Sequence, residues 1–413
     1  FVGKSSSHQV TLTLGITRIL SRRWVPVVIG IITAVFFAWV WGGLNQVAVL
    51  HDEAASLLQA RLYAGFHWTA PGLPIPEFFE QYHVLVTPVL TPKYFPGHAI
   101  MLVPGIWLGL PGLMPVLMLG LCGALIFVVA RRLTNPWVGL ISWLLWMTAP
   151  GVASFMPGYL SETTTSTFWM LGWLGLLFWL EDGRQRWLNM VALSIGIGLL
   201  TRPLTMLVYA VPIGIVVLVR VWRRKSWREL AMPFGIGFAC LGVWMIWCYT
   251  TTGSPLHTPW ELYRREYIPD DRMGFGLSGQ HPLRALNADM KTFNEFVQSQ
   301  HRDYTLASLP QQLWERVLAI AENMWATRAM FLFLAAVAII TTSGAFWFAI
   351  ASSVVLVLAY LSYAHGPKWA VYYIEMQPVL AFATAVAWWR FESLLSNRKL
   401  AWPLRTTPAV TPN

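Results

Sequence analysis

Charge is what this 413-residue chain has least of: Asp, Glu, Lys and Arg make up 12% of it, against 56% hydrophobic residues and a mean hydropathy of +0.53. A soluble domain carries about twice that charged fraction, so a water-soluble globular fold is excluded. Cysteine is almost missing too. Cys122, Cys240 and Cys248 all fall in apolar segments, which leaves no disulfide framework and no thiolate metal cluster. The chain has no Walker loop, dinucleotide fingerprint, HExxH, CxxC or GxSxG. An ATP-driven pump and a soluble-type hydrolase are therefore set aside. Lysines and carboxylates placed to form an intramembrane ion relay are few, and no internal repeat is visible, which argues against a secondary transporter.

What the chain does have is apolar length. Several runs of about 17–22 residues suit membrane-spanning helices, and they lack the alternation of a transmembrane β-barrel. The expected fold is an all-α polytopic membrane protein with about ten spans, near 25–46, 112–130, 136–152, 163–180, 187–201, 204–220, 231–250, 328–342, 344–364 and 369–389.

The formal charge of +10 invites a nucleic-acid partner, but its distribution follows membrane topology instead. With the N-terminus inside, the cytoplasmic segments hold Arg18, Arg22 and Arg23; Arg131 and Arg132; Arg184 and Arg186. They also hold Arg220, Arg223, Arg224, Lys225 and Arg228, then Arg390, Arg398, Lys399 and Arg405. The first outer loop is acidic, with Asp52, Glu53, Glu77 and Glu80 against Arg61 and Lys93. Both termini are thus expected in the cytoplasm of a bacterial-type inner membrane. The chain divides into a cytoplasmic segment 1–24, a transmembrane module 25–250 that includes outer loop 47–111, and a large outer loop 251–327. Two last parts follow, the C-terminal transmembrane helices 328–390 and a cytoplasmic tail 391–413.

The outer loops have structure of their own. In 53–66, Ala54, Leu58 and Leu62 share one helical face and Ser56, Gln59 and Tyr63 the other, the pattern of an amphipathic interfacial helix. Residues 95–110 are apolar but broken by Pro96 and Pro104, which suits an interfacial or re-entrant helix better than a span.

Chemistry concentrates on this outer face. Asp52 and Glu53 lie just beyond the first span, where two carboxylates hold a divalent cation or take a proton from a hydroxyl. The local alternative is that Asp52 caps the surface helix and Glu53 complements its dipole. Glu162 opens the polar run Thr163-Thr164-Thr165-Ser166 at another outer turn, as a functional acid or as a solvated first-turn residue. Arg202, in Leu200-Thr201-Arg202-Pro203, puts a guanidinium at headgroup depth, suited to a phosphate or to snorkelling. His365-Gly366-Pro367-Lys368-Trp369-Ala370-Val371-Tyr372-Tyr373-Ile374-Glu375 brings a cation, two phenols, an imidazole and an intramembrane acid to the last span. Lys93-Tyr94-Phe95-Pro96-Gly97-His98 closes the first outer loop with a second cation for a phosphate or a headgroup.

This layout resembles the GT-C superfamily of membrane glycosyltransferases, in particular the branch of protein O-mannosyltransferases and the lipid A aminoarabinose transferase. The resemblance rests on Asp52-Glu53 at the start of the first outer loop, the helix after it, and Glu162 in a second outer turn. It rests also on Lys93-Tyr94-Phe95-Pro96-Gly97, on Leu200-Thr201-Arg202-Pro203, and on Tyr372-Tyr373 before Pro378. Many relatives place Asp where Glu162 stands, and many have more spans or a C-terminal soluble domain.

The resemblance implies an inverting transfer of a sugar from a polyprenyl-phosphate donor to a glycan, lipid or protein acceptor at the outer face. Asp52 is the expected general base, with Glu53 and Glu162 as further catalytic carboxylates; the three together are a candidate Mg²⁺ or Mn²⁺ site. Arg202, Lys93 and Lys368 are the expected phosphate cations. His51, Tyr94, His98, His365, Tyr372, Tyr373 and Glu375 are the expected cavity residues. The rival readings are a non-catalytic subunit of a larger membrane complex and, further off, a lipid-linked substrate transporter. Membrane lipids are expected partners in each case, and nucleic acid in none.

Overall fold

A computed structural model describes residues 15–366 and 368–395. Pro367, the ends 1–14 and 396–413, and with them the expected cytoplasmic Arg398, Lys399 and Arg405, lie outside the described residues.

Each of the ten expected spans overlaps a helix, though the bounds differ. Helix α1 is Val25–Trp41, and α2, His51–Ala64, and α3, Pro96–Trp107, fall in the segment expected to be the first outer loop. Then come α4 (Leu113–Leu133), α5 (Pro136–Met147), the short α6 (Pro150–Phe155), α7 (Glu162–Asp182) and α8 (Gln185–Leu199). Helices α9 (Pro203–Arg224) and α10 (Ala231–Thr252) complete the first bundle. The segment after Thr252 carries α11 (Pro259–Tyr267), α12 (Ala288–Arg302) and α13 (Leu309–Trp325). The chain closes with α14 (Ala329–Ile340), α15 (Gly344–Tyr360), the 3₁₀ turn Ala370–Met376 and α16 (Gln377–Leu395).

Four of these, Leu113–Leu133, Pro203–Arg224, Trp227–Thr252 and Ala370–Leu395, are long and apolar enough to cross a membrane. The apolar helices Val25–Trp41, Pro136–Met147 and Gly344–Tyr360 are shorter than the expected spans. At about 1.5 Å per residue they fall short of a hydrocarbon core of about 30 Å. The C-terminal helix is the centre of the bundle: 89% of its apolar stretch is buried, against 6% for Trp227–Thr252, which therefore stands at the periphery.

Between lipid-facing helices there is no hydrophobic driving force, so close backbone approach supplies the packing. Helices α1 and α4 meet at two glycines, where a Cβ on Gly120 would sit 2.7 Å from the carbonyl oxygen of Gly30. Deeper in the bundle, Trp146, Trp169 and Trp179 are fully buried.

The charges sort to two ends. At one, Arg132 pairs with Glu181, Arg220 donates to the Leu180 carbonyl at 2.6 Å, Arg131 to that of Leu20 at 3.0 Å, and Trp179 to Glu229 at 3.1 Å. The opposite end holds Asp52, Glu162, Arg202 and the segment before α16. The outer loops build a small subdomain over that end. A three-stranded antiparallel sheet, absent from the sequence-based expectation, has β1 (Ala70–Pro71), β2 (Val84–Leu85) and β3 (Val89–Pro92) in the order β1-β3-β2. Leu85 packs with Tyr263, Tyr267, Ile268 and Met290, and Tyr82 donates to the Asp289 carbonyl at 3.1 Å, so the two outer segments share one core.

Gly120→Ala is expected to destabilise the protein by about 1–3 kcal/mol, because the added methyl meets backbone that cannot give. Gly235→Ala, with nothing within 4 Å of its Cβ, serves as the control and gains up to about 1 kcal/mol in helix propensity. Melting temperatures of the two detergent-solubilised variants check this; equal values would remove the α1–α4 contact as a stability determinant.

Candidate functional site: an ionic head on an apolar groove

The acidic pair divides its work. Glu53, at the third position of α2, is buried. Its Oε2 accepts from the amides of Val49 (2.9 Å) and Leu50 (3.1 Å), and its Oε1 from that of Tyr159 (2.9 Å). The cap of the helix is therefore Glu53 and not Asp52, which corrects the local alternative. A Cβ on Gly158 would lie 2.2 Å from Glu53 Oε1, so the second outer turn reaches this carboxylate only with glycine there. Asp52, relieved of capping, keeps a side chain that is 49% exposed.

Two groups steady that carboxylate. The Tyr94 hydroxyl donates a short hydrogen bond to Oδ1, and His83 Nε2 stands 3.6 Å from Oδ2. Burial by itself would raise the Asp52 pKa; His83, the Tyr94 hydrogen bond and Lys93 outweigh it and hold the group below the ordinary aspartate value. Burial first, then Lys93, pushes His83 down to about 4, so at neutral pH it presents an uncharged ring. Its backbone is held at a φ of 66° by an amide hydrogen bond to the Tyr263 hydroxyl (2.9 Å) and by its carbonyl on the Lys93 amide (2.9 Å). Such a conformation persists only where the surroundings impose it.

Helix α2 is turned the other way round from the expectation for a surface helix. The face of Ser56, Gln59 and Tyr63 is buried against the protein, and Gln59 donates to the Tyr94 carbonyl at 2.7 Å. Ala54 is exposed and Leu58 and Leu62 are half-buried. Polar side chains on the inner face are what link this helix to the loop that carries Lys93 and Tyr94.

Lys93 lies beside this centre in a buried ion pair, Nζ to Asp271 Oδ2 at 2.7 Å. Tyr363 donates to the other Asp271 oxygen at 2.7 Å. The next residues, Phe95 to Gly97, dock on the Arg202 turn. The Gly97 amide donates to the Leu200 carbonyl at 2.7 Å, and a Cβ on Gly97 would be 2.5 Å from the Thr201 hydroxyl. Two motifs separated by a hundred residues in the chain thus meet backbone to backbone.

Arg202 is clamped. Its Nη1 pairs with Glu162, its Nε lies 2.6 Å from Glu375 Oε1, and its Nη2 donates to the Tyr360 hydroxyl at 3.2 Å. Glu162 and Glu375 are both buried, and Glu162 Oε2 has no hydrogen-bond partner. Tyr372 joins the two centres: Arg202 stands 5.9 Å from its ring centre, and the rings of Tyr363 (5.5 Å), Tyr360 (5.5 Å) and His365 (4.5 Å) surround it.

Some expected site residues lie elsewhere. His98 is a buried strut between Thr164 Oγ1 and the Tyr159 carbonyl, each at 2.8 Å. His365 and Tyr373 satisfy each other at 3.0 Å behind Tyr372. His51 packs edge-on against Tyr82, and Lys368 is exposed. The three carboxylates expected to form a cation cage do not converge. Glu53 is spent on backbone amides and Glu162 on Arg202, and no group of three His, Cys, Asp or Glu side chains among the described residues is placed to hold a metal. His83, Asp271, Tyr360 and Tyr363 belong to the site although the sequence did not single them out.

Below this head runs an apolar cavity of about 540 Å³ between α8, α9 and α10. Phe95, Leu200 and Pro203, neighbours in sequence of Tyr94 and Arg202, line one end; Leu188, Leu230 and Pro233 line the other.

The all-α bundle, with its acidic centre under two loop segments, shares its fold with solved membrane proteins. Residues 112–248 match the sequence profile of the family described as dolichyl-phosphate-mannose-protein mannosyltransferase. That stretch includes Glu162 and Arg202 but ends short of Asp52 and Lys93 on one side and of Glu375 on the other. Among solved structures, the chain is similar to ArnT from Cupriavidus metallidurans bound to undecaprenyl phosphate, at a TM-score of 0.50 and 17% identity over 91% of this chain and 63% of that one. The apo state of the same ArnT gives a TM-score of 0.52 and 17% identity over 88% and 59%. The chain thus spans about 60% of the length of ArnT. No curated protein sequence matches it.

Lys93→Met strands the Asp271 carboxylate in a buried site and is expected to cost about 3–5 kcal/mol, read as a lower melting temperature. Combining it with Asp271→Leu recovers most of the loss; a double variant as unstable as the single one would show that packing, not pairing, is at stake. The Asp271 pKa is depressed, since Lys93 and Tyr363 outweigh burial. The pair therefore stabilises the fold above the ordinary aspartate value, and that contribution is lost as pH falls through the lower, folded-state value.

Proposed function

We propose that this chain is a glycosyltransferase that takes a sugar from a polyprenyl-phosphate donor and passes it to an acceptor on the periplasmic side of a bacterial-type inner membrane. The observation that carries the reading is the junction of groove and head. The residues that line the groove's upper end are chain neighbours of Tyr94 and Arg202, so a prenyl tail in the groove delivers its phosphate to Lys93 and Arg202, beside Asp52. That ArnT, a protein of the same fold, has been seen with undecaprenyl phosphate bound supports the choice of carrier.

In the proposed reaction an acceptor hydroxyl or amine gives its proton to Asp52 and attacks C1 of the donor sugar. The bond from C1 to the phosphate oxygen breaks, the electron pair leaves with the polyprenyl phosphate, and the anomeric configuration inverts. Asp52 suits the task because it is half-exposed, held in one orientation by Tyr94, and ionised at neutral pH. Both cations rest against carboxylates, Lys93 on Asp271 and Arg202 on Glu162 and Glu375. Phosphate binding then exchanges a carboxylate partner for a phosphate oxygen, and the head stays charge-compensated in the resting state. No step is routed through a metal, since the carboxylates do not form a cage.

Asp52→Asn is expected to reduce transfer from a radiolabelled polyprenyl-phosphate sugar by about 10²–10⁴ while expression and melting temperature stay as in the parent. Full activity in that variant would sink the assignment. Arg202→Ala is expected to lower the rate by about 10²–10³ and to weaken donor binding; unchanged donor affinity would make the cluster of Arg202, Glu162 and Glu375 a packing device.

A further inference from the structure

Arg316, on α13, is wholly buried, yet no carboxylate among the described residues pairs with it. Its Nη1 donates to the carbonyl of Tyr360 at 2.7 Å, its Nη2 to that of Tyr363 at 3.1 Å, and the guanidinium lies 5.4 Å from the Tyr304 ring. A buried charge without a counter-ion is costly to keep. Here the C-terminus of α15 offsets part of that cost, because Tyr360 is its last residue and its carbonyl belongs to the negative pole of the helix.

The turn that Arg316 holds is the one from which both ionic centres are reached. The Tyr360 hydroxyl accepts from Arg202 and lies 2.8 Å from the Thr205 hydroxyl. The Tyr363 hydroxyl donates to Asp271, whose other oxygen holds Lys93. The same turn is stitched to the outer segment by the Gly274 amide on the Ser362 carbonyl (2.7 Å) and the Tyr304 hydroxyl on the Leu361 carbonyl (2.8 Å). A fork of parallel donors spans two carbonyls three residues apart; the point charge of a lysine does not.

We propose that Arg316 is a positioning residue that sets the Arg202 centre and the Lys93–Asp271 centre in register beside Asp52, from a distance and without touching either. The inference rests on the reading of these centres as the donor site. It gives the outer segment a second task besides covering the head: α13 fixes the geometry of the phosphate end through the turn 360–363.

The test uses the full chain in detergent or nanodiscs. Arg316→Met keeps volume and removes the fork; Arg316→Lys keeps charge and loses the span, and serves should the Met variant not fold. Either is expected to lower kcat on the order of 10²-fold with little change in KM for the donor. Combined with Tyr363→Phe, the loss is expected to match the larger single loss, because both act through one chain of contacts. Hydrogen exchange supplies a readout that needs no activity: segments 269–276 and 360–366 lose protection in the variant while α4 and α9 keep theirs. Additive rate losses, or unchanged exchange in those two segments, overturn the proposal. Absence of transfer by the parent protein would count against the proposed function alone, since the exchange experiment still reads the role of Arg316.

Discussion

The carboxylate of Glu53 accepts three backbone amides from two separate outer loops, and the geometry of the head depends on it. In water an acid on the first turn of a helix would gain little from such contacts. Beneath two packed loops it satisfies amides that would otherwise be buried without partners, and each of those would cost about 1–3 kcal/mol. The clamp fixes where α2 begins and how close the turn at Gly158 comes. It also decides what its neighbour does. An acidic pair in sequence reads as two equivalent ligands, but in the fold one member is structural and the other, Asp52, is left half-exposed with both oxygens facing chosen partners.

Around that point the head obeys a stricter rule than the bundle beneath it. Apolar packing constrains shape, whereas a buried charge also needs a partner in a set direction. Lys93 has Asp271, and Arg202 has Glu162, Glu375 and the Tyr360 hydroxyl. These pairings cross long stretches of chain and lock the outer loops to the last helix. A buried ion pair contributes little net stability compared with apolar packing, so its presence here points to orientation rather than strength. The aromatic rings around Tyr372 stand between the two pairs.

Much of this head was legible in the sequence because charge stands out against an apolar background. Asp52, Lys93, Tyr94, Glu162, Arg202, Tyr372 and Glu375 each sit at the lip of an apolar run, and the fold brings all of them to one end. Asp271, Tyr363 and Arg316 were not legible for the opposite reason. Asp271 and Arg316 lie in the long outer segment, where charges of both signs are common and nothing marks one as buried, and Tyr363, just after α15, carries no charge to single it out. The pairing of Lys93 with a residue 178 positions away leaves no local trace. His83 was missed because a lone histidine in a loop carries no periodicity, and its left-handed backbone shows only in coordinates. The cation cage failed for a related reason. Proximity in sequence between Asp52 and Glu53 does not imply a shared direction, since successive residues on a helix point about 100° apart.

Under the proposed function, the division between groove and head also bears on why such a transfer belongs at the membrane surface. A long prenyl tail is held by area alone, without direction, so an apolar groove sets how deep the tail lies but not how its phosphate is turned. Direction has to come from charges, and charges are effective only where water is scarce. The junction where Phe95 lines the groove while Tyr94 grips Asp52 meets both needs within two consecutive residues. Moved one turn deeper, the acid would meet a larger desolvation penalty on its charged form. Moved one turn outward, Lys93 and Arg202 would be screened by solvent and unable to distinguish a phosphate from any other anion.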